Sequence, residues 1–222
     1  MLEEKLVNLK KELIEYAGLV ESMVEKSVKG LLVRERTVLL EVIEKDEPKA
    51  NACDIEMDEL CANLIAQYQP KAKNLRLILM ALKMSNDLER MGDHAVNIVE
   101  SAMYLIERQQ IKPLIDIPKM GDYSTKMLKD SINSFINEDG ALAKSVCAMD
   151  DSVDGLKDKV LMELEALMKS DPAMIERSLH LLRISGNLER IADLSTNICE
   201  DVMYLVEGRV IKHHNEEKSD NG

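Results

Sequence analysis

The chain has 222 residues, of which 32% are charged and only 3% are aromatic, and its formal net charge is −12 at pH 7. The shortage of aromatic residues disfavours β-sheets, and the negative charge argues against binding to nucleic acids or to anionic membrane surfaces. The four cysteines have neither CxxC spacing nor the density of a disulfide scaffold, so we expect buried thiols in a reducing compartment.

The spacing of apolar residues predicts helices throughout the first half of the chain. Apolar residues step by three and four from Leu2 to Val28, and Gly30 then offers a stop. Glu47 and Pro48 are typical of a cap and a first-turn residue. The predicted elements are a first helix of about 28 residues, a short helix around 38–43, a helix at 48–68 and a long third helix at 71–108.

The same pattern restarts after a break that we predict to be the domain boundary. The interval from Gln109 to Pro118 contains two prolines and interrupts the apolar periodicity. Asp171 and Pro172 predict another cap and first helical residue. A polar tail begins at Lys212 and is expected to fray. The helices predicted in this half are 120–137, 140–148, 151–169 and 173–207.

Neither a leader segment nor a membrane span is predicted. No positively charged segment followed by an apolar stretch opens the chain. The longest run without charge, from Leu60 to Pro70, has 11 residues, whereas a bilayer span needs about 18. We therefore expect a cytoplasmic protein.

An internal duplication organises the sequence. Residues 85–112 recur without a gap at 185–212, and 14 of the 28 positions are identical. Repeats of this kind bury their apolar faces together. We therefore predict an all-α fold of two tandem antiparallel three-helix bundles, with repeats at 1–110 and 111–212 and a polar tail at 213–222.

The duplicated segment carries a stripe of acidic residues. At about 100° per residue, Glu89 and Asp93 fall on one side of the helix, opposite the apolar face, and we predict that they point to solvent. Glu189 and Asp193 repeat this arrangement. One interpretation of the stripe is a solvated surface with ion pairs such as Asp93 with Arg90. The other is a cation site, because like charges four residues apart repel unless a cation lies between them.

A second acidic pair lies on the preceding helix of repeat two. Asp150 and Asp154 are also four residues apart, and two such pairs on facing helices offer several hard oxygens to Fe, Mn, Mg, Ca or Zn. Glu47 and Asn51 are the corresponding residues of repeat one, where the neutral Asn51 predicts a site of lower charge. N-capping is an equally open interpretation of Glu47 and Asp150.

Catalytic motifs are missing, so we expect a protein that is not an enzyme. The sequence has no glycine-rich phosphate loop, no GxSxG and no HExxH. The leading alternative is a carboxylate-bridged di-iron enzyme or iron store, but such bundles place ExxH motifs inward and this chain has none. A structural interaction module with an ordinary acidic surface is the third possibility.

The duplicated motif resembles a known family. LKMSNDLERMGDHAVNI at 82–98 and SGNLERIADLSTNI at 185–198 resemble the two repeats of the PhoU family of phosphate-uptake regulators. The resemblance covers nearly the whole chain, and its LERxGD core is specific. It implies a cytoplasmic protein that partners the ATPase subunit of a phosphate ABC transporter and a phosphate-sensing histidine kinase, and that keeps the phosphate-starvation response off when phosphate is plentiful.

The resemblance also implies metal ligands and a set of residues that would supply them. Family members carry multinuclear clusters of iron or other metals on paired E(D)xxxD motifs. Asn51 departs from this acidic pattern. A homodimer through the long first helix is a further expectation. The metal ligands implied are Glu89, Asp93, Glu189, Asp193, Asp150, Asp154 and Glu47.

Overall fold

The computed structural model describes residues 2–207, and the described chain is helical with no β-strand. The predicted all-α class is thereby confirmed, whereas the predicted polar tail at 213–222 lies outside the described residues. No helix within 2–207 has the length and apolarity to cross a bilayer. The elements are α1 (Leu2–Val33), α2 (Arg36–Glu41), a π-helical turn (Val42–Asp46), α3 (Glu47–Tyr68), α4 (Lys73–Ile106), α5 (Asp116–Asn137), α6 (Gly140–Cys147), α7 (Asp150–Ser170), a 3₁₀ turn (Pro172–Met174) and α8 (Ile175–Glu207).

Two three-helix units pack side by side and share one hydrophobic core. Helices α1, α3 and α4 form the first unit and α5, α7 and α8 the second, while α4 packs along α8 and α1 along α5. Helices α4 and α8 run antiparallel, since Lys83 reaches Asp201 at 2.7 Å and His94 Nδ1 lies 2.8 Å from Asn187 Oδ1. Buried apolar residues of both units form one continuous core. The repeats therefore share an interior.

Helix α1 is longer than the sequence predicted, because Gly30 does not end it. The helix continues to Val33 and ends at Arg34, which has a positive φ of 56°. Gly30 instead allows close approach of α2, since a Cβ at this position would lie 2.5 Å from Leu39 Cδ2. Leu39 is completely buried. The glycine is thus explained by packing between two helices.

We expect the substitution Gly30→Ala to lower the free energy of unfolding by about 1–2 kcal/mol, because buried Leu39 must move to admit the new methyl group. Gly18→Ala is the matched control, since Gly18 is a helical glycine of α1 with nothing within 4 Å of a built Cβ. It should stabilise the protein by about 0.5–1 kcal/mol. Urea unfolding of both variants measures the difference, and equal effects would show that Gly30 has no packing role.

The predicted helix at 48–68 is confirmed to within one residue as α3 (Glu47–Tyr68), but the chain is already helical before Pro48 and the predicted cap at Glu47 is wrong. Neither Glu47 nor the residue before it makes a side-chain capping hydrogen bond. Proline has no N–H for the bond to the preceding turn, and the π-helical turn at Val42–Asp46 accommodates this irregularity. Asp46 ends the turn, is only 4% exposed, and accepts a hydrogen bond of 2.7 Å from Lys26 of α1. By contrast, the predicted cap at Asp171 is confirmed, because its side chain accepts from Ala173 N–H at 2.9 Å.

Candidate functional site

The two repeats correspond helix by helix, with a different offset for each pair of helices. Helices α4 and α8 correspond at an offset of 100 residues, as the repeated segment shows. The buried faces of α3 and α7 instead match at an offset of 103, which agrees with the predicted correspondence of Asn51 with Asp154. It also pairs Asp54 with Lys157. The buried residues that define this match are Ala50, Met57 and Cys61 in α3, and Val153, Val160 and Leu164 in α7.

In repeat one, carboxylates of α3 and α4 face each other. Glu89 is half-buried, and burial raises its pKa, with Asp93 and Asp54 adding to the shift. Ser85 donates a hydrogen bond of 2.9 Å to Asp54 Oδ1, which brings Asp54 to the surface of α4. We call Asp54, Glu89 and Asp93 the repeat-one acidic set.

Tyr16 of α1 adds a hydroxyl to the repeat-one acidic set. The residue is 1% exposed, and its hydroxyl has no hydrogen-bond partner within residues 2–207. Burial raises its pKa most, and Asp54 and Glu89 are the next causes. No sequence pattern indicates this arrangement, because Tyr16 lies within the apolar stripe of α1.

In repeat two, the corresponding carboxylates are already neutralised by basic side chains. Burial raises the pKa of Asp154, and Glu189 and Asp193 add to the shift, so α7 and α8 face each other here. Lys157, however, donates a hydrogen bond to Glu189 Oε1, and Arg190 lies 3.0 Å from Asp193 Oδ2. We call Asp154, Glu189 and Asp193 the repeat-two acidic set.

The structure changes the expected second arm of repeat one. The charges that act on Glu89 are those of Asp93, Asp54 and Arg90, and Glu47 is not among them. Glu47 precedes Asp54 by seven residues, which is about 10 Å along a helix. Sequence reasoning missed Asp54 although it lies three residues after Asn51, on the same face of α3.

Asp150, the other residue with an open capping interpretation, is the first residue of α7. Helix α7 begins at Asp150 with Met149 as its N-cap residue, and no side-chain capping hydrogen bond forms there. The Asp150 carboxylate acts on Cys147 of α6. The capping interpretation is therefore wrong for both Glu47 and Asp150.

The acidic stripe is only partly open to solvent, which corrects the predicted outward ridge. Asp93 is exposed, but Glu89 is half-buried and the Glu189 side chain is 15% exposed. The stripe therefore lines the seam between each outer helix and its long neighbour, α3 with α4 and α7 with α8. His94, the residue after Asp93, contacts Asn187 of α8.

The two acidic sets differ in how well they suit a metal ion. Within residues 2–207, no three His, Cys, Asp or Glu side chains converge closely enough to hold an ion as they stand. The repeat-one acidic set nevertheless offers hard oxygen donors, since the charges of Asp54, Glu89 and Asp93 all act on the Tyr16 hydroxyl, which has no hydrogen-bond partner within residues 2–207. The repeat-two acidic set does not fit an ion in this arrangement, because Lys157 is bonded to Glu189.

Comparison with known proteins finds the same duplicated fold. The family model described as "PhoU domain" matches residues 13–102 and again 117–202. The "Phosphate-specific transport system accessory protein PhoU homolog" of Aquifex aeolicus is 37% identical over 220 residues, covering 99% of both chains. The crystal structure of PhoU from Pseudomonas aeruginosa is similar, with 32% identity and a TM-score of 0.90, over 94% of this chain and 100% of that one. The crystal structure of the phosphate transport system regulatory protein PhoU from Streptococcus pneumoniae has 28% identity and a TM-score of 0.88, over 96% of this chain and 100% of that one.

Proposed function

Because the chain belongs to the PhoU family, we propose that it is a non-catalytic accessory protein that regulates phosphate transport. The observation that carries this proposal is the agreement of both repeats with the family along nearly the whole chain. Its relatives are named as accessory and regulatory proteins of phosphate transport systems.

The proposed mechanism is docking in the cytoplasm. The protein binds the ATPase subunit of a phosphate ABC transporter and a phosphate-sensing histidine kinase, and favours the inactive state of each when phosphate is plentiful. Such regulation requires different affinities for two states of the partner. We place docking on the outer faces formed by α3 with α4 and by α7 with α8, where the exposed Asp93 and the half-buried Asp193 contribute charge.

Metal binding is part of this proposal. A hard cation on the acidic seam would lower the local negative charge and so change what the docking face attracts. The alternative of a di-iron store has less support, because its ligands would project into the interior of a helical bundle. Here the carboxylates line the seam between outer and long helices, and Asp93 is exposed.

A deletion strain tests the regulatory proposal. Without the gene for this chain, a reporter of the phosphate-starvation response should be active in phosphate-rich medium, and the wild-type gene should repress it again. Affinity purification from phosphate-rich cells should recover the ATPase subunit and the kinase with the wild-type chain. An unchanged reporter together with recovery of neither partner would overturn the proposal.

The docking face is tested with matched variants. We expect the double variant Asp93→Asn/Asp193→Asn to recover less of both partners, because it removes charge from both faces. Asp122→Asn is the control, since it removes the same charge from an exposed position of α5. Equal recovery with the two variants would reject these faces as the docking surface and leave the reporter result unaffected.

A further inference from the structure

Two free cysteines of repeat two meet where α6 packs against α8. Cys147 is the last residue of α6, and Cys199 lies on α8. Neither belongs to a disulfide, and the Cys199 thiol donates a hydrogen bond to the Cys147 sulfur. Two sulfur atoms in such contact need only a small movement to reach the separation of about 2.05 Å that a disulfide bond requires. The fold therefore brings together a pair of thiols that can be joined.

The two thiols differ in how easily they react. Cys147 is half-buried, so a small molecule can reach it, whereas Cys199 is completely buried. The hydrogen bond from Cys199 lowers the pKa of the Cys147 thiol, although burial and the charges of Glu200 and Asp150 oppose the shift. The same bond, together with burial, raises the pKa of the Cys199 thiol. Because the thiolate is the nucleophilic form, Cys147 is the thiol that reacts first.

Neither packing nor metal binding explains the pair. In repeat one, the position corresponding to Cys199 is Val99, which is fully buried, so the core does not need a sulfur atom there. Within the described part of the chain, no three His, Cys, Asp or Glu side chains converge to hold a metal ion, as a zinc site would require. A reachable thiol of lowered pKa beside a second cysteine is typical of redox sensors.

We propose that Cys147 and Cys199 form an oxidation site at which a hydroperoxide converts two thiols into a disulfide bond. The Cys147 sulfur attacks a peroxide oxygen and the O–O bond breaks, so that hydrogen peroxide leaves a sulfenic acid and one water. The Cys199 sulfur then attacks the Cys147 sulfur, the S–O bond breaks, and the departing hydroxide takes the Cys199 proton as a second water. Two electrons pass from the thiols to the peroxide, and a small thiol reverses the reaction by exchange.

The disulfide would restrain the outer helix of repeat two. Only residues 148–149 separate Cys147 from the start of α7, so a bond to Cys199 ties this end of α7 to α8. Repeat one has Val99 and cannot form the same link. Oxidation therefore acts on one of the two outer helices. This inference goes beyond the proposed function and does not depend on it.

A count of free thiols tests the proposal. Reduced full-length protein is treated with hydrogen peroxide and unfolded with N-ethylmaleimide, and its peptides are mapped by mass spectrometry. We expect two of the four thiols to be lost, a link between Cys147 and Cys199 within one chain, and all four thiols to return with dithiothreitol. Cys61 is the internal control and should stay reduced, since it is buried and donates to Ile78 O at 3.8 Å. Four free thiols under conditions that oxidise glutathione, or a link between other cysteines, would refute the proposal.

Two variants separate the roles of the thiols. Cys199→Val copies Val99 of repeat one, and it should leave Cys147 as a sulfenic acid that dimedone labels, whereas the wild type should be labelled several times less. Cys147→Ser should form no link and keep three free thiols. Equal dimedone labelling of the wild type and Cys199→Val would show that Cys199 does not resolve the sulfenic acid. Circular dichroism checks folding, and Cys147→Ser changes only a half-buried position, so it remains informative if Cys199→Val does not fold.

Hydrogen exchange tests the restraint on α7. Oxidation should slow amide exchange at the start of α7 and leave the start of α3, the outer helix of repeat one, unchanged. Reduction should restore the original rate. The same change in both helices, or in neither, would reject the restraint while the thiol counts decide the oxidation site.

Discussion

Replacing Asp87 by asparagine should raise the free energy of unfolding at pH 7 by about 1–3 kcal/mol. Asp87 lies on α4 and is 6% exposed, and its Oδ2 has no hydrogen-bond partner within residues 2–207. Burial raises the pKa of this carboxyl to about 6, although Lys83 and Arg90 oppose the shift. The ionised side chain is therefore a cost to the folded state at neutral pH.

The sign of the pH dependence follows from the raised pKa of Asp87. Between its ordinary pKa of 3.8 and about 6, the folded protein holds a proton that the unfolded chain has released. Stability from this group is therefore present at low pH and is lost as the pH rises to about 6. Asp87→Asn should remove most of that loss, so that its advantage over the wild type is small at pH 4 and full at pH 7.

Urea unfolding at pH 4 and pH 7 measures the effect of Asp87→Asn. Asp122→Asn is the control, because it makes the same change at an exposed position and should alter stability little at either pH. Repeat two already has an amide at the corresponding position, Asn187, which contacts His94 across the helix pair. A variant that keeps the full pH dependence of the wild type would show that Asp87 ionises without cost.

Replacing Lys26 by alanine should lower the free energy of unfolding by about 2–4 kcal/mol, because it leaves a buried charge without its partner. Lys26 Nζ lies 2.7 Å from Asp46 Oδ2, and the side chains are 27% and 5% exposed. The pair joins α1 to the π-helical turn before α3. The hydrogen bond to Asp46 is the main cause of the raised pKa of Lys26.

A surface ion pair of α1 provides the comparison for Lys26→Ala. Lys11 and Glu15 lie 3.2 Å apart with 67% and 60% of their side chains exposed, so Lys11→Ala should cost less than about 0.5 kcal/mol. The double variant Lys26→Met/Asp46→Asn removes both charges and should recover part of the stability. Equal losses for Lys26→Ala and Lys11→Ala in urea unfolding would show that burial of Asp46 adds nothing.

Much of the fold could be predicted from local pattern, and the errors arose where distant elements decide the structure. The apolar spacing identified the long helices, and the repeated segment identified the duplication. Gly30 misled because glycine often ends a helix. Pro48 correctly indicated the start of α3, but not that a helical turn runs into it without a break. Leu39 explains the glycine and a π-helical turn accommodates the proline, and neither can be recognised before the helices are packed.

Some residues of the candidate site could likewise be predicted from local pattern, whereas others are recognised only from the packing of helices. Glu89, Asp93 and their counterparts were found because the duplication places them on one face of a helix. Asp54 required the correct register of α3 against α4, and Tyr16 required knowledge that α1 brings its hydroxyl to this seam. Lys157 was visible in the sequence three residues after Asp154. That Lys157 neutralises a carboxylate of the repeat-two acidic set follows only from its contact with Glu189.

The packing of α3 and α7 affects how the duplicated halves can diverge. The long helices α1, α4, α5 and α8 contact both repeats, so a change of shape in one copy must be tolerated by the other. Helices α3 and α7 contact chiefly their own repeat. The two copies of a duplicated unit can therefore diverge in their outer helices without disturbing each other. The difference between Asp54 and Lys157 lies on those two helices.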